Sequence, residues 1–394
     1  MKPVIQEIRL RNLLSFGPDT EPLPLKSLNV LIGPNGSGKS NLLEAIGLLR
    51  AAPKDLSAPV KQTGGVRDWL WKGERNPTAS IEAIIDFPDQ TDMSVRHMFS
   101  FVEHGQRFEV TEERIEKKEP SPGQSTPFSF YRNEHGFISV WDRPQWAEDE
   151  GEERSLLRES INPEESVLSQ IKAPEQYLVL SYLSKVYSRF RLYLEWAFGR
   201  KTVLCQPQKA DLPSEYLSDT CENLAHVLNA LRPRVKGELL KELSALYPGI
   251  EDFNVQFPAG WVQLFLEEGK FSIPATRVSD GTLRYLCLLA ILCHPDPPPL
   301  VCIEEPELGL HPDVLPTVAK LLVKASQRCQ LIVTTHSDVL VDELTDTPES
   351  VIVCEKHNGS TVMKRLDQET LKVWLEKYTL GQLWTKGEIG GTRW

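Results

Sequence analysis

The segment Gly33-Pro34-Asn35-Gly36-Ser37-Gly38-Lys39-Ser40 constrains this chain more than any other, because it fits the pattern GxxxxGK[ST]. Glycines at these spacings let successive backbone N–H groups converge on phosphate oxygens. The apolar run 26–32 before the segment predicts a buried strand, and the apolar spacing over 40–50 predicts an amphipathic helix. Strand, glycine-rich loop and helix follow in the order that this phosphate-binding motif requires.

Each polar residue of the segment has a physical reason to be there. The helix that begins near Gly38 points its positive end at the bound anion. Lys39 would bring a positive charge to the β and γ phosphates, and the Ser40 hydroxyl would ligate Mg²⁺. The alternative, a glycine-rich turn without function, does not explain this context. We therefore expect a nucleotide site with Mg²⁺, formed by Gly33, Pro34, Asn35, Gly36, Ser37, Gly38, Lys39, Ser40 and Asn41.

A second apolar run, 299–303, ends in the carboxylates Glu304 and Glu305. Glu304 occupies the place of an acid that organises Mg²⁺, and Glu305 that of a base that orients an attacking water. Alternation along a strand would send these neighbouring side chains in different directions. At the position of Glu304, the first of the two acids, aspartate is more common than glutamate. An exposed acidic strand end is the alternative interpretation.

Two further segments become informative through their positions. Ser279 and Gly281 precede an apolar helix one element ahead of the carboxylate strand, and small residues at a helix start can bind phosphate. A simple capping turn would look the same. His336 ends another apolar strand, 331–335, and is placed to contact a terminal phosphate.

The remaining composition excludes some classes of protein. No apolar run reaches the roughly 18 residues that a membrane helix needs, and the first residues lack the pattern of a signal peptide. We therefore expect a cytoplasmic protein without a membrane partner. The net charge of −11 disfavours constitutive coating of DNA. The seven cysteines are scattered, which predicts buried reduced thiols rather than a zinc site.

Together these motifs resemble the ABC-ATPase superfamily, specifically the RecF/SMC-like branch of stand-alone predicted ATPases of the AAA_21 type. Lys39, Ser279, Glu304 with Glu305, and His336 occur in the family's order. The run 304–312 is similar to the branch's EEPExxLHP hallmark, and the opening 8–16 is also similar to this branch. The resemblance covers about 1–90 and 270–355.

The resemblance implies an α/β fold: an ABC-type P-loop ATPase head with an antiparallel β-subdomain and a helical insertion. It divides the chain into an ATPase lobe over 1–145, an insertion over 146–250, and a second lobe with the C-terminal tail over 251–394. Apolar stripes predict helices across 164–247, and the acidic stretch 145–165 is predicted to be a solvated linker.

The resemblance also implies a homodimer or higher oligomer, in which ATP on one P-loop is capped by Ser279 and Gly281 of the other protomer. Lys39, Glu305 and His336 would then be catalytic, and Ser40 and Glu304 would hold Mg²⁺. The signature LSGGQ is missing, which argues against a transport ATPase. Gln62 is the one nearby candidate for the glutamine that follows the P-loop in this superfamily.

The end of the chain, 380–394, resembles the tails of ATPases from bacterial anti-phage defence pairs, whose partner is often a TOPRIM-like nuclease. The OLD-family nucleases fuse such a nuclease to the ATPase. This sequence leaves no room for a fused nuclease, so we expect the effector to be a separate polypeptide. Trp374, Trp384 and Trp394 are candidate partner anchors, although packing on the protein's own surface is the alternative.

Three functions follow from these observations. The first is an ATP-driven switch that scaffolds or controls the effector nuclease. The second is a repair-type ATPase that clamps DNA, which predicts salt-sensitive DNA binding supported by the basic segments 189–191 and 232–236. The third is a protein-interaction module, such as one that neutralises a toxin, that uses ATP only structurally and would tolerate Glu305→Gln.

Overall fold

The computed structural model describes residues 2–88, 93–134, 136–141, 153–156, 161–196, 199 and 202–391. Most of the acidic stretch predicted as a linker, and the candidate anchor Trp394, lie outside these residues. The boundary at 145/146 lies outside them too, so the three-part division of the chain stays a prediction.

The regular elements of the described chain are strands and helices. The strands are β1 (Ile5–Arg11), β2 (Leu23–Pro24), β3 (Leu28–Ile32), β4 (Ala79–Phe87), β5 (Met93–His104), β6 (Arg107–Lys117), β7 (Ser129–Glu134), β8 (Phe137–Trp141), β9 (Glu153–Leu156), β10 (Arg191–Tyr193), β11 (Gln208–Lys209), β12 (Asp252–Gln256), β13 (Trp261–Glu268), β14 (Phe271–Pro274), β15 (Leu300–Glu304), β16 (Gln330–Thr334), β17 (Val351–His357) and β18 (Ser360–Arg365). The α-helices are α1 (Lys39–Ala51), α2 (Ala58–Gln62), α3 (Val66–Trp69), α4 (Val167–Gln170), α5 (Leu178–Ser188), α6 (Leu224–Leu246), α7 (Asp280–Leu292), α8 (Leu315–Ala325), α9 (Asp338–Asp342), α10 (Gln368–Leu375) and α11 (Leu380–Thr385).

A six-stranded sheet, in the order β10-β15-β16-β3-β17-β18, lies at the centre of the fold. Its first five strands are parallel, and β18 returns antiparallel beside β17. Side chains of β3 alternate between two hydrophobic cores: Leu31 faces the first, while Val30 and Ile32 face the second. A sheet covered on both faces needs apolar residues at successive positions, which explains the continuous runs seen in the sequence.

The first core is closed by an eight-stranded antiparallel sheet, in the order β2-β1-β4-β5-β6-β7-β8-β9, together with α1 and α5. The second core contains α6, α7 and α8 and the four-stranded sheet of β11 to β14. The α/β head with an antiparallel subdomain, expected from the sequence, is confirmed. The strand β4 belongs to the eight-stranded sheet, and β12 to β14 belong to the smaller one.

The segment 164–247 is less uniformly helical than its apolar stripes predicted. Helices α5 and α6 are present, but β10 lies between them and pairs in parallel with β15 of the central sheet. This part of the predicted insertion therefore forms an edge of the ATPase sheet. Helix α6 bends at Val235, whose φ of −133° is not helical, two residues after Pro233. The apolar stripes face the cores, apart from Leu178, which is 48% exposed.

All seven cysteines lie in the described residues, are buried and form no disulfide, as predicted. Burial raises the pKa of the Cys354 thiol to about 12, so this group stays protonated and unreactive at neutral pH. Among the helices of the described ranges, none combines the length and apolar character needed to cross a membrane.

His294 joins the end of α7 to a preceding loop. Its Nε2 bonds the backbone oxygen of Glu215 at 2.9 Å, and its Nδ1 accepts from the Asp296 N–H at 3.2 Å. This pattern uses one ring nitrogen as donor and the other as acceptor, which fits the neutral imidazole. Burial is the main reason that the pKa of His294 lies below its ordinary value, although Asp296 acts in the opposite direction.

We therefore predict that His294 makes folding sensitive to mild acid. A histidine whose pKa is lowered by folding stabilises the folded state at pH values above its unfolded-state pKa of about 6.5. This contribution is lost as the pH falls. Wild type should lose more unfolding free energy than His294→Gln between about pH 7.5 and about pH 5, as measured by urea denaturation. Equal pH dependence in wild type and His294→Gln would contradict the assignment.

Candidate functional site

The P-loop has the backbone shape of a phosphate cradle. It leaves the end of β3 at Gly33, whose φ is 147°, and enters α1 through Gly38, whose φ is 99°. A Cβ on Gly33 would lie 2.2 Å from the Cys354 oxygen, and one on Gly38 would lie 2.2 Å from Thr361 Oγ1. Both glycines are thus required by conformation and by close packing.

Lys39, the first residue of α1, is 6% exposed. Its ammonium donates to the backbone oxygens of Gly33 at 2.8 Å and Pro34 at 3.1 Å. Burial lowers the pKa of Lys39, while nearby charges, including those of Glu305 and Glu304, act to raise it. The lysine is therefore held inside the loop, and a phosphate would offer it a stronger partner than two carbonyl groups.

Ser40 and Glu304 meet directly, since the Ser40 hydroxyl donates to Oε1 of Glu304. Burial is the largest of the effects that raise the pKa of the Glu304 carboxyl. A hydroxyl and a half-buried carboxylate are suitable ligands for Mg²⁺, which keeps several waters and takes only one or two protein groups beside the substrate phosphates. Among the described residues, no group of three or more His, Cys, Asp or Glu side chains is arranged to hold a metal ion.

Glu305 leaves the strand in a left-handed conformation, with φ of 44°. Its N–H donates to the Thr334 backbone oxygen at 3.1 Å, which ties it to the end of the neighbouring β16. The Glu305 carboxylate lies 3.5 Å from His336 Nε2. The sequence predicts that strand alternation turns the side chains of Glu304 and Glu305 in different directions. In the structure this backbone turn separates them instead, because β15 ends at Glu304.

Glu307, which the sequence analysis gave no role, supports the loop that carries His336. Its Oε1 accepts from Thr335 Oγ1 at 2.8 Å and from the His336 N–H at 2.7 Å. Burial is the main cause of its raised pKa, and its Oε2 is buried without a hydrogen-bond partner. The carboxylate thus fixes the backbone of His336 beside Glu305.

Arg284 and Trp196 clamp the carboxylate loop from the side of α7. The Arg284 guanidinium lies 4.3 Å from the centre of the Trp196 ring and donates to the Glu305 backbone oxygen at 2.5 Å. Trp196 Nε1 donates to the Glu304 backbone oxygen at 2.7 Å. Arg284 is 2% exposed, and burial lowers its pKa to about 10. Two stacked side chains therefore hold consecutive peptide groups of the loop.

Ser279 caps α7, accepting from the Thr282 N–H at 3.2 Å, and is itself exposed. A Cβ on Gly281 would lie 2.8 Å from the Gly309 oxygen, so this residue needs to be small. The helix start is held by Asp280, which accepts from the Gly199 N–H at 2.9 Å. Within the described residues, no hydrogen bond joins Ser279 or Gly281 to the P-loop of the same chain.

A chain of hydroxyl groups supports the P-loop from behind. The Asn41 amide donates to Ser15 Oγ at 2.7 Å, and Ser15 lies 2.6 Å from Thr361 Oγ1. Thr361 in turn donates to the Ser37 backbone oxygen at 2.9 Å. Asn41 is thereby linked through the β1–β2 connection and the start of β18 to the loop itself. This network also explains the tight packing around Gly38.

The chain matches the model of a known protein family over most of its length. Residues 28–342 match the family model AAA_21, described as "AAA domain, putative AbiEii toxin, Type IV TA system". The chain belongs to this family. No curated protein sequence matches it significantly.

The AAA_21 chain also has the fold of SMC heads, which are ABC-type ATPase domains. A crystal structure of an SMC head bound to the C-terminal winged-helix domain of ScpA aligns with a TM-score of 0.57 and 15% identity, covering 93% of this chain and 99% of that one. The Pyrococcus furiosus SMC head with an extended coiled coil, bound to the C-terminal domain of ScpA, aligns with a TM-score of 0.56 and 15% identity, covering 95% and 99%. At these identities the likeness establishes the fold.

The structure brings most of the predicted residues of this AAA_21 chain to one edge of the central sheet. Gln62 is not among them: it lies at the end of α2 and lines a cavity with Arg50, at the far end of α1. A helix of 13 residues is about 20 Å long. Trp384 is 8% exposed and packs in the second core, so it is not a surface anchor here, whereas Trp374 is 45% exposed.

Three groups around the site were missed in the sequence: Glu307, the Arg284–Trp196 pair and the Ser15–Thr361 pair. Glu307 stands within the quoted motif, so its buried role could have been suspected. Arg284 and Trp196 are far apart in the sequence, and neither belongs to a motif with Glu305. Nothing in a single sequence indicates such a contact.

We predict that the Arg284–Trp196 clamp contributes strongly to stability. Arg284→Lys retains the charge but loses the planar fork that stacks on Trp196 and reaches the Glu305 oxygen, so unfolding free energy should fall by about 2 kcal/mol. Urea denaturation would measure this. Arg277→Lys, at an exposed arginine before the same helix, should change it by no more than about 0.5 kcal/mol. Equal effects of the two substitutions would show that the clamp contributes nothing.

Proposed function

We propose that the protein binds and hydrolyses ATP with Mg²⁺ as a head-to-tail dimer, and that this cycle scaffolds or controls a separate effector, a TOPRIM-like nuclease, in bacterial anti-phage defence. The observation that carries the ATPase part is the bond between Ser40 and Glu304 at one sheet edge. It joins the P-loop of β3 to the carboxylate end of β15 across the intervening β16.

The geometry supports a chemical role for each of these residues. Lys39 leaves the Gly33 and Pro34 oxygens and pairs with the β and γ phosphates, while the P-loop N–H groups hold the same anion. Ser40 and Glu304 hold Mg²⁺, which neutralises charge that develops on the phosphates when it is bound. Glu305 orients the attacking water and accepts its proton, and His336, 3.5 Å from Glu305, faces the γ phosphate.

The dimer completes this site. In one chain Ser279 is exposed at the start of α7, a helix whose positive end favours an anion. In a head-to-tail pair Ser279 and Gly281 cap the ATP held by the partner's P-loop. Binding of ATP then joins two heads and hydrolysis releases them, which is a shift of population driven by a ligand.

Three observations support an effector. The family's description names a toxin of a type IV toxin–antitoxin system, which places relatives in systems of paired proteins. An SMC head of the same fold binds a winged-helix domain of another protein. The C-terminal segment resembles the tails of defence ATPases. A separate chain bound to the head would sense whether two heads are joined.

The second candidate, an ATP-dependent DNA clamp of the RecF type, is favoured by the SMC-head fold alone. Its sequence support was the basic segments 189–191 and 232–236, and the cations of the second segment are paired with carboxylates. Arg232 and Lys236 both pair with Asp252, at 3.0 and 2.6 Å. Arg234 pairs with Asp296 at 2.5 Å. Cations already paired with carboxylates release fewer counterions from DNA, so the segment 232–236 contributes little to its binding.

Substitution of the two central residues separates binding from hydrolysis. Lys39→Ala should abolish ATP binding, because the cradle loses its charge. Glu305→Gln should retain ATP but lower turnover by about 100-fold or more, because the base is lost and the cradle is intact. Isothermal titration and phosphate release measure the two effects. Glu119→Gln, at an exposed loop carboxylate, is the control, and unchanged hydrolysis by Glu305→Gln would refute the assignment.

The same variant tests the dimer. Glu305→Gln with ATP and Mg²⁺ should sediment as a dimer, and adding Ser279→Arg to that chain should return it to the monomer while each P-loop still binds ATP. A dimer that persists with Ser279→Arg would refute capping by this helix.

Capture of the Glu305→Gln protein from its native cells with ATP and Mg²⁺, followed by mass spectrometry, tests the effector. We expect a stoichiometric second protein with nuclease-type carboxylates, which is lost from the Lys39→Ala protein. Recovery of the chain with nuclease-sensitive DNA, and without a second protein, would favour the DNA clamp instead.

A further inference from the structure

The last residues that the structure describes lie against the first glycine of the P-loop. A Cβ on Gly391 would stand 3.4 Å from the Gly33 Cα and 3.0 Å from Cγ1 of Val353. The segment that follows α11 therefore packs on the loop that holds Lys39, although it is remote from that loop in the sequence. This contact belongs to none of the roles assigned above.

Gly391 is held at both ends of its backbone. Its N–H donates to Glu355 Oε1 at 2.8 Å, and its oxygen accepts from Trp384 Nε1 at 3.1 Å. The first of these bonds is the main reason that the pKa of Glu355 lies below its ordinary value. Gly390 and Gly391 have φ of 78° and 70°, a region that favours glycine. We call this arrangement of Glu355, Trp384, Gly390 and Gly391 the tail clip.

Strand β17 connects the tail clip to the P-loop. The Cys354 oxygen faces Gly33 so closely that only glycine fits there, while the adjacent Val353 and Glu355 contact Gly391. Gly33 is therefore enclosed between a strand carbonyl on one side and the tail on the other. Its own oxygen receives the Lys39 ammonium at 2.8 Å.

We propose that the tail clip is a positioning element of the nucleotide site, which holds Gly33 in the shape required for phosphate binding. This inference rests on the proposed ATP binding, because Lys39 must leave the Gly33 oxygen for the phosphates without the loop collapsing. A loop already held in its bound shape loses less conformational freedom when the ligand arrives. Docking of the tail and binding of ATP therefore strengthen each other by the same factor.

One pair of variants tests the indole bond. Trp384→Phe removes the N–H and keeps an aromatic ring in the core, so the Kd for ATP should rise about fivefold, as expected for loss of one hydrogen bond. The kcat at saturating ATP should stay within about twofold of wild type, because the reacting groups are untouched. Trp374→Phe, at an exposed tryptophan of α10, is the matched control and should leave the Kd unchanged.

A second pair tests the backbone. Gly391→Ala introduces a side chain at a left-handed residue and against Val353, and should raise the Kd for ATP by a similar factor. Gly123→Ala, in the loop between β6 and β7, also meets a left-handed conformation, with φ of 85°, but its Cβ would contact nothing within 4 Å. It controls for backbone strain alone and should bind ATP as wild type does.

The reciprocal effect is measured on the unaltered protein. Hydrogen exchange of amides 387–391 should slow about fivefold when a non-hydrolysable ATP analogue saturates the site, matching the change in Kd. Unchanged exchange in wild type, unchanged Kd in both tail variants, or a fall in kcat with constant Kd would each overturn the proposal. If wild type binds no nucleotide, the proposed function itself fails, and this result is distinct from binding that ignores the tail.

Discussion

Parallel pairing of β3, β16 and β15 is the interaction on which the rest of the structure depends. The register sets Glu304 opposite Thr334 and Thr334 opposite Leu31, so the three strands end at the same level. Side chains on both faces of these strands enter hydrophobic cores, and their burial fixes that register. The register therefore fixes the positions at which the loops leave this edge relative to one another.

The site at this edge concentrates charge that the protein alone only partly compensates. Burial lowers the pKa of Lys39 and raises those of Glu304 and Glu307, so each charged form is held against a desolvation penalty. Their mutual attraction and the bonds of Ser40, Thr335 and His336 reduce this penalty. A bound phosphate and Mg²⁺ would supply the missing partners, which is why such an arrangement is more readily explained by ligand binding than by stability.

Several residues that belong to no phosphate-binding motif hold the shape of this edge. Arg284 and Trp196 hold the backbone of Glu305 and Glu304, and Ser15 and Thr361 hold the loop around Gly38. They come from α7, from the segment after β10, from the connection after β1 and from the start of β18. Segments distant in the sequence, including the predicted insertion, therefore hold the backbone of the site.

The fold class was implied by the family resemblance of the motifs. The sequence alone determined the P-loop, the carboxylate strand and the buried cysteines, because each depends on local spacing or on apolar periodicity. It could not determine that β10 joins the central sheet, that Gln62 lies away from the P-loop, or that Glu305 turns left-handed. It also could not bring Arg284 onto Trp196 or Gly391 onto Gly33. Those features depend on contacts between distant segments, whose energies are decided only when both sheets and both cores have packed together.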